Sequence, residues 1–180
     1  MTTQTAARAT LDDLYGIEGK AELIGGRIVQ TMSGDLPSEV ALNIYVSLRA
    51  YAKSTGRGVA KADGMGYAVP ELPSGRESFS PDASYHLGAR PANPMRFIEG
   101  APTFAVEVRS ENDYGPFAER TMADKREDYF AAGTLVVWVV DPRSRDDCYL
   151  SIRCADNSNG CQARRNSRCG ARGTGLADSR

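Results

Sequence analysis

The chain has 180 residues, of which 41% are hydrophobic and 25% are charged, and its formal net charge at pH 7 is −1. This length and composition are typical of one ordinary globular domain and exclude a collagen-like, coiled-coil or wholly disordered chain. The longest strongly apolar run, residues 135–140, is far shorter than the roughly 20 residues that cross a bilayer. Residues 1–10 lack the apolar core of a secretory signal. We therefore expect a cytoplasmic protein with no membrane partner.

Charge and composition change near residue 150. Residues 1–150 carry a net charge of −5, whereas residues 151–180 carry six Arg, two Asp and a net charge of +4. From residue 153 onward Leu176 is the only large apolar side chain, so this tail cannot bury enough surface to order itself. Three interpretations stay open: a basic tail that binds nucleic acid, a solvated disordered tail, and a frameshifted or mis-called gene end. We therefore divide the chain into a patterned domain, residues 1–150, and an Arg/Cys/Gly/Ser-rich tail, residues 151–180.

All four cysteines lie near the C-terminal end of the chain. They are Cys148, Cys154, Cys161 and Cys169. Their spacing lacks the paired pattern of structural zinc sites, and a cytoplasmic chain is not expected to carry a disulfide framework. The cysteines therefore indicate neither a zinc site nor a covalent staple.

Apolar periodicity and turn residues divide the chain into short elements. We predict a helical turn over Leu11–Tyr15 after the cap Thr10, a hairpin over residues 21–31 turning at Gly25-Gly26, a loop over residues 33–38 and a helix over residues 39–52. Next come a strand pair within residues 58–69 turning at Asp63-Gly64, a strand over residues 78–85 and a long irregular excursion over residues 88–102. The last elements are a strand over residues 103–109, a helix over residues 117–132 ending at Gly133, a strand over residues 134–140 buried on both faces, and an edge strand at Cys148–Ile152. This order is typical of an α/β protein with a mixed central β-sheet flanked by helices.

The strand at residues 103–109 carries an acid and a cation among apolar residues. Side chains alternate between the two faces of a strand, so Glu107 and Arg109 project together, opposite Phe104, Val106 and Val108. Burying either charge without a partner is costly. One interpretation is therefore a structural Glu107–Arg109 pair, and the other is a functional site.

A second carboxylate favours the functional interpretation. Asp82 follows Pro81, which marks a bend or the start of a strand because it lacks a backbone donor. If Asp82 and Glu107 converge from neighbouring strands, they make a site for Mg²⁺ or Mn²⁺.

The helix that follows can add a cation. Lys125 and Tyr129 share one face of this helix, and an inward-facing Lys125 would orient the attacking water beside a phosphate. The alternative is that Lys125 only pairs with solvated acids such as Asp124 or Asp128.

Taken together, these residues resemble the Uma2 family of the PD-(D/E)XK, restriction-endonuclease-like superfamily. The matching stretches are Glu22-Leu23-Ile24 with Gly26, the helix from about Glu39, Pro81-Asp82, residues 97–102, Val106-Glu107-Val108 with Ser110, Lys125 with Tyr129, Ala132-Gly133 and residues 138–142. The resemblance covers roughly residues 10–150.

The resemblance implies a nuclease fold with a divalent metal site. Asp82 and Glu107 match the acidic motif positions and would be metal ligands, and Glu22 matches the early acidic position that completes the site. Lys125 matches a lysine that has moved onto the helix. Arg109 occupies the superfamily's older lysine position, where it could bind phosphate but not act as a base.

The chain also departs from the family pattern at several positions. Thr121 stands where an acid is common one turn before the lysine, the hairpin turn reads Gly25-Gly26-Arg27, and Ser38-Glu39 replaces a common histidine. The tail stands where the family's C-terminal strands are expected, which leaves a homodimer through that sheet edge in question.

Two functions are compatible with this pattern. The leading hypothesis is a divalent-metal-dependent endonuclease that cleaves nucleic acid, with DNA favoured over RNA. The alternative is a catalytically degenerate scaffold that serves as a binding module. His86, the only histidine, would face the same way as Asp82 if the strand persists, but is expected to be a polar residue at a strand end; Trp138 is expected in the core.

Overall fold

In the computed structural model, residues 8–143 and 148–152 are described. The helices are α1 (Leu11–Tyr15), α2 (Asp35–Thr55) and α3 (Pro116–Ala131). The strands are β1 (Ala21–Ile24), β2 (Arg27–Gln30), β3 (Val59–Ala62), β4 (Tyr67–Ala68), β5 (Ser78–Phe79), β6 (Ala83–His86), β7 (Ile98–Glu99), β8 (Phe104–Val108), β9 (Val136–Val140) and β10 (Cys148–Ile152). The predictions for the tail beyond residue 152, with Cys154, Cys161 and Cys169, lie outside the described residues.

A five-stranded mixed sheet forms the centre of the fold, in the order β10-β9-β8-β6-β3. β8 and β9 are parallel, and the other neighbours are antiparallel. Helix α2 packs on one face against Val106 and the half-buried Trp138, while the other face buries Ala105 and Val137 beside Tyr129 of α3. The sheet is therefore covered on both faces, and the predicted α/β class with a mixed sheet flanked by helices is confirmed. The edge position of β10 is also as predicted.

Helix α2 begins earlier than its apolar periodicity predicts. The loop expected over residues 33–38 is wrong, because Asp35, Leu36 and Pro37 form the first helical turn. Proline is tolerated there, since the N–H groups of a first turn have no partner within the helix. The helix ends at Gly56, whose φ of 63° is the left-handed conformation that glycine adopts freely.

Two smaller sheets lie beside the central one. The hairpin of β1 and β2 forms one of them, as predicted, and β5-β4-β7 forms the other. The prediction that residues 58–69 form a strand pair is wrong, because β3 joins the central sheet through β6 and β4 pairs with β5 and β7. The excursion over residues 88–102 likewise contains β7, which pairs with β4 in parallel.

The strand predicted over residues 78–85 is divided into two by Pro81. β5 belongs to the three-stranded sheet and β6 to the central sheet, so the chain changes sheets between Phe79 and Ala83. Pro81 has no N–H to give to either ladder, and the N–H of Asp82 bonds to the carbonyl of Val106 at 2.9 Å. The crossing leaves Asp82 at the point where β6 enters the central sheet.

Helix α3 is held by aromatic packing against β5 of the three-stranded sheet. Tyr129 is fully buried, and its ring stacks on Phe79 with a centroid distance of 4.1 Å. The helix ends before Gly133, which adopts a φ of 105° as expected of a residue after a helix C-cap. Lys125 lies one turn before Tyr129 on the same face of α3. The packing that buries Tyr129 therefore also turns Lys125 inward, toward Glu107 of β8 in the central sheet. No helix of the described residues is long and apolar enough to cross a membrane.

Candidate active site

Two adjacent strands bring Asp82 and Glu107 together. Ala83 of β6 is opposite Val106 of β8, so the residue before Ala83 and the residue after Val106 lie side by side. Both side chains line one cavity of about 240 Å³. The predicted convergence of these two carboxylates from neighbouring strands is therefore present in the fold.

The carboxylate of Asp82 is held by β8 and by a lysine. Its Oδ2 accepts the backbone N–H of Val108 at 2.6 Å, and its Oδ1 contacts the ammonium of Lys20. The same ammonium lies 2.9 Å from Asp63. Only 6% of Asp82 is exposed, so both contacts are largely shielded from water.

Glu22 reaches the same cavity from the β1–β2 hairpin. The hairpin is tied to β5 by the N–H of Leu23, which donates to Ser78 Oγ at 2.7 Å. Glu22 Oε1 accepts the backbone N–H of Ser80 at 2.9 Å, and Oε2 contacts the guanidinium of Arg76. Ser80 stands two residues before Asp82 in the chain, so this hydrogen bond holds the third predicted acid, Glu22, close to Asp82.

Lys125 lies between the two glutamates. Its Nζ is 2.9 Å from Glu107 Oε2 and 3.0 Å from Glu22 Oε1. The hydroxyl of Tyr129 donates to the other oxygen of Glu107, Oε1, at 2.6 Å. The alternative that Lys125 only pairs with solvated acids such as Asp124 or Asp128 is wrong, because Lys125 pairs with the largely buried Glu107 and Glu22, while Asp128 is itself buried and accepts from Arg76 Nε at 2.9 Å.

Lys20 and Arg76 are two site residues that the sequence interpretation missed. Lys20 stands immediately before an apolar strand, and Arg76 lies in a loop between Pro73 and β5. Neither position matches a motif. The available signal was physical: several buried carboxylates require counter-charges, and an isolated cation beside an apolar strand is a candidate to supply one.

Arg109 and His86 do not join this cavity. The guanidinium of Arg109 forms a two-pronged ion pair with Glu119, with Nη2 2.8 Å from Oε2, and stands over the ring of Tyr114. The alternative of a Glu107–Arg109 pair is thereby wrong, and Arg109 lines a neighbouring cavity of about 390 Å³ instead. His86 lies beside the ring of Tyr67, 5.9 Å between centroids.

The site brings positive and negative groups together in equal number. Three largely buried cations (Lys20, Arg76 and Lys125) contact four largely buried carboxylates (Glu22, Asp82, Glu107 and Asp128). The charged residues that line the cavity itself are four cations (Lys20, Arg76, Lys125 and Arg126) and four acids (Glu22, Asp82, Glu107 and Asp113). The carboxylates of the cavity are therefore matched by neighbouring cations, which offset the cost of burying them.

The two glutamates that share Lys125 differ in their electrostatics. Burial raises the pKa of Glu107, and the nearby carboxylates of Asp82 and Glu22 raise it further, against the opposing effect of Lys125. Burial also raises the pKa of Glu22, but Lys125, Arg76 and the N–H of Ser80 outweigh it and lower the value to about 2. Of these two glutamates, Glu107 is therefore the one whose anionic form an added cation would stabilise more.

The cations of the site remain charged. Burial lowers the pKa of Lys125, but the carboxylates of Glu107 and Glu22 outweigh burial and raise it overall. Lys20 behaves in the same way, with Asp82 and Glu107 raising its pKa against burial. Burial, followed by the charges of Glu107 and Glu22, raises the pKa of Tyr129 well above its ordinary value, so its hydroxyl stays a donor.

The donor set fits a hard divalent cation. Mg²⁺ usually takes one or two carboxylates and keeps several waters, so Asp82 and Glu107 are a sufficient pair of protein ligands. Within the described part of the chain, no three His, Cys, Asp or Glu side chains already form a metal cluster. In the structure the ammonium groups of Lys20 and Lys125 lie against Asp82 and Glu107 instead.

Comparison with known proteins agrees with this fold. The Uma2 family, described as "Putative restriction endonuclease", matches residues 9–148. A crystal structure described as a putative nuclease belonging to DUF820 from Anabaena variabilis superposes with a TM-score of 0.62 at 18% identity, over 79% of each chain. No curated protein matches the chain. The solved structure supports the restriction-endonuclease-like fold, and the match over most of its length shows that this chain belongs to the Uma2 family.

Proposed function

We propose that the chain is a divalent-metal-dependent endonuclease that hydrolyses phosphodiester bonds of nucleic acid, DNA in preference to RNA. One observation carries the proposal: Glu22 of β1, Asp82 just before β6, Glu107 of β8 and Lys125 of α3 line a single cavity. Burying so many charges together costs desolvation energy, so their convergence on one cavity favours a functional role. The family description adds the substrate class.

Asp82 and Glu107 would hold Mg²⁺ or Mn²⁺. When bound there, such a cation lowers the pKa of a coordinated water and stabilises charge on a phosphoryl oxygen. The backbone N–H of Val108 fixes the orientation of Asp82, and the hydroxyl of Tyr129 fixes that of Glu107. Both carboxylates are therefore oriented before a cation arrives, which limits the entropy lost on binding.

Lys125 acts as a fixed positive charge and not as a base. Its raised pKa keeps the ammonium protonated, so it can donate to an attacking water and to a phosphate oxygen. Glu22 is a positioning residue, because it holds Lys125 from the side opposite Glu107 and is itself held by Arg76. The hairpin therefore contributes to the reaction through the lysine.

The test is cleavage of labelled double- and single-stranded DNA and RNA with Mg²⁺ or Mn²⁺. We expect cleavage of DNA that EDTA abolishes and that Asp82→Asn, Glu107→Gln and Lys125→Met each reduce at least about a hundredfold. Glu99→Gln, an exposed residue of β7, is the matched control and should cleave normally. Metal-independent cleavage, or full cleavage by two of the three site variants, would overturn the proposal.

A second candidate function is a binding module that has lost catalysis. It is favoured by the contacts of Lys20 with Asp82 and of Lys125 with Glu107, which place an ammonium beside each proposed metal ligand. This candidate predicts no saturable Mn²⁺ binding by calorimetry and no cleavage by the folded chain. Saturable Mn²⁺ binding that Asp82→Asn abolishes would exclude it.

A further inference from the structure

The outer face of α2 carries an ordered stripe of exposed residues. It consists of Asp35, Glu39, Leu42, Val46, Arg49 and Lys53, which we call the α2 stripe. At roughly 100° per residue, the stripe stays within roughly 40° of the direction opposite Ile44, which packs against the sheet. Leu42 and Val46 are 55% and 56% exposed, although both are large apolar residues. The stripe therefore lies on the solvent-facing side of α2 and has an apolar centre, and at its basic end Arg49 and Lys53 also line a surface cleft with Lys61 and Arg90.

The α2 stripe is complementary to its own reversed copy. Its members lie in pairs at nine, five and two residues on either side of Ile44: Asp35 with Lys53, Glu39 with Arg49, and Leu42 with Val46. Reversing the helix about Ile44 therefore exchanges acid for base at both ends and leaves the apolar centre unchanged. Complementarity of this kind is what a two-fold symmetric contact requires, since each residue meets its counterpart twice.

The charged residues of the stripe, Asp35, Glu39, Arg49 and Lys53, form no ion pair with any other residue in the described part of the chain. Glu39 and Arg49 are ten residues apart along one helix, about 15 Å, so they cannot reach each other. Ser38 and Ala50, at matching distances from Ile44, flank the stripe with small side chains that let a second helix approach closely.

We infer that two copies of this chain associate through α2, antiparallel, about a two-fold axis at Ile44. Four ion pairs flank two Leu42–Val46 contacts over a length of about 27 Å. The surface differs from the sheet edge at β10, since α2 covers one face of the central sheet. The association is weak and sensitive to salt, because exposed ion pairs contribute little each and are screened.

The pairing also affects the candidate active site. Met32 and Ser33 line the cavity of about 240 Å³, and α2 begins two residues later, at Asp35. The antiparallel arrangement sets the basic end of the second copy's helix beside Asp35. Each cavity mouth would therefore be flanked by positive charge from the other subunit, which suits a polyanionic substrate.

The test is sedimentation equilibrium of the full chain at low and high salt, up to high protein concentration. We expect a dimer whose dissociation constant rises about tenfold or more with either Glu39→Arg or Arg49→Glu, because each change turns two attractions into repulsions. The double variant Glu39→Arg/Arg49→Glu should restore the wild-type constant. Ser47→Arg, exposed on α2 but outside the stripe, should leave it unchanged. Circular dichroism checks that each variant is folded.

A mixing experiment separates this contact from every other mode of association. In a mixed dimer of the wild-type chain and the double variant, acid faces acid and base faces base. We therefore expect energy transfer when donor and acceptor labels are both on wild-type chains or both on double-variant chains. We expect little transfer when the donor is on one protein and the acceptor is on the other. A chain that stays monomeric, or a double variant that fails to restore association, would overturn the inference. A monomeric chain whose affinity for duplex DNA falls with Arg49→Glu would also overturn it and assign this surface to nucleic acid.

Discussion

Asp82 Oδ2 accepts the backbone N–H of Val108 at 2.6 Å. Val108 directly follows Glu107, so the strand that carries one proposed metal ligand also orients the other, Asp82. Removing this acceptor leaves a buried donor unsatisfied. We predict that Asp82→Ala lowers the free energy of unfolding by about 1–3 kcal/mol, measured by urea denaturation. Asp82→Asn retains an acceptor and should cost less. Equal losses in the two variants would show that the Val108 bond does not matter.

The contact of Lys20 with Asp82 predicts competition with a metal ion. The ammonium occupies Asp82 Oδ1, so a divalent cation must displace it. We predict that Lys20→Met tightens Mn²⁺ binding about tenfold in isothermal titration. Lys61→Met, on the central sheet but outside the cavity, should not change it. Weaker binding in Lys20→Met would mean that Lys20 supports the metal site and does not compete with it.

The hydroxyl of Tyr129 predicts a separation of stability from activity. Tyr129→Phe removes the donor to Glu107 and keeps the stacked ring, so it should cost about 1 kcal/mol of stability and reduce cleavage about tenfold. Tyr67→Phe is the matched control, because Tyr67 is equally buried and its hydroxyl pairs with Ser84 at 2.8 Å, outside the cavity. It should lose similar stability with normal cleavage. Equal activity in the two variants would contradict a role for Tyr129.

Burial of Tyr67 predicts loss of stability at alkaline pH. Burial raises the pKa of Tyr67 to about 12, above the value near 10 of an unfolded tyrosine. The folded state therefore retains a proton that the unfolded state releases, and the stabilisation present below pH 10 is lost as pH rises toward about 12. We predict that the free energy of unfolding falls less steeply in this window for Tyr67→Phe, by at most about 1.4 kcal/mol per pH unit. Parallel curves for the two proteins would show that Tyr67 ionises normally.

Local structure could be predicted from this sequence where a short segment specifies its own conformation. The N-cap at Thr10, the glycine turn of the first hairpin and the end of α3 before Gly133 are examples. Each depends on residues a few positions apart. The pairing of β4 with β7, and the change of sheets at Pro81, depend on segments far apart and leave no periodic signal.

The residues of the candidate site could likewise be predicted only in part. Asp82, Glu107, Glu22 and Lys125 were found because they stand in motifs that resemble a family. Lys20 and Arg76 were missed because their partners lie 62 and 54 residues away along the chain, at Asp82 and Glu22. The counter-charges of a buried site can come from any element that packs over it, so sequence spacing does not identify them.

The separation of these partners along the chain also determines when the site forms. Glu22 leaves the ribosome about a hundred residues before Lys125, and Asp82 and Glu107 both precede Lys125 as well. Until α3 docks through Tyr129 and Phe79, the three acids lack the lysine that joins two of them. A nascent chain that has not yet made α3 therefore cannot complete the cavity, and hydrolytic competence would arise only after nearly all of the described fold has been synthesised.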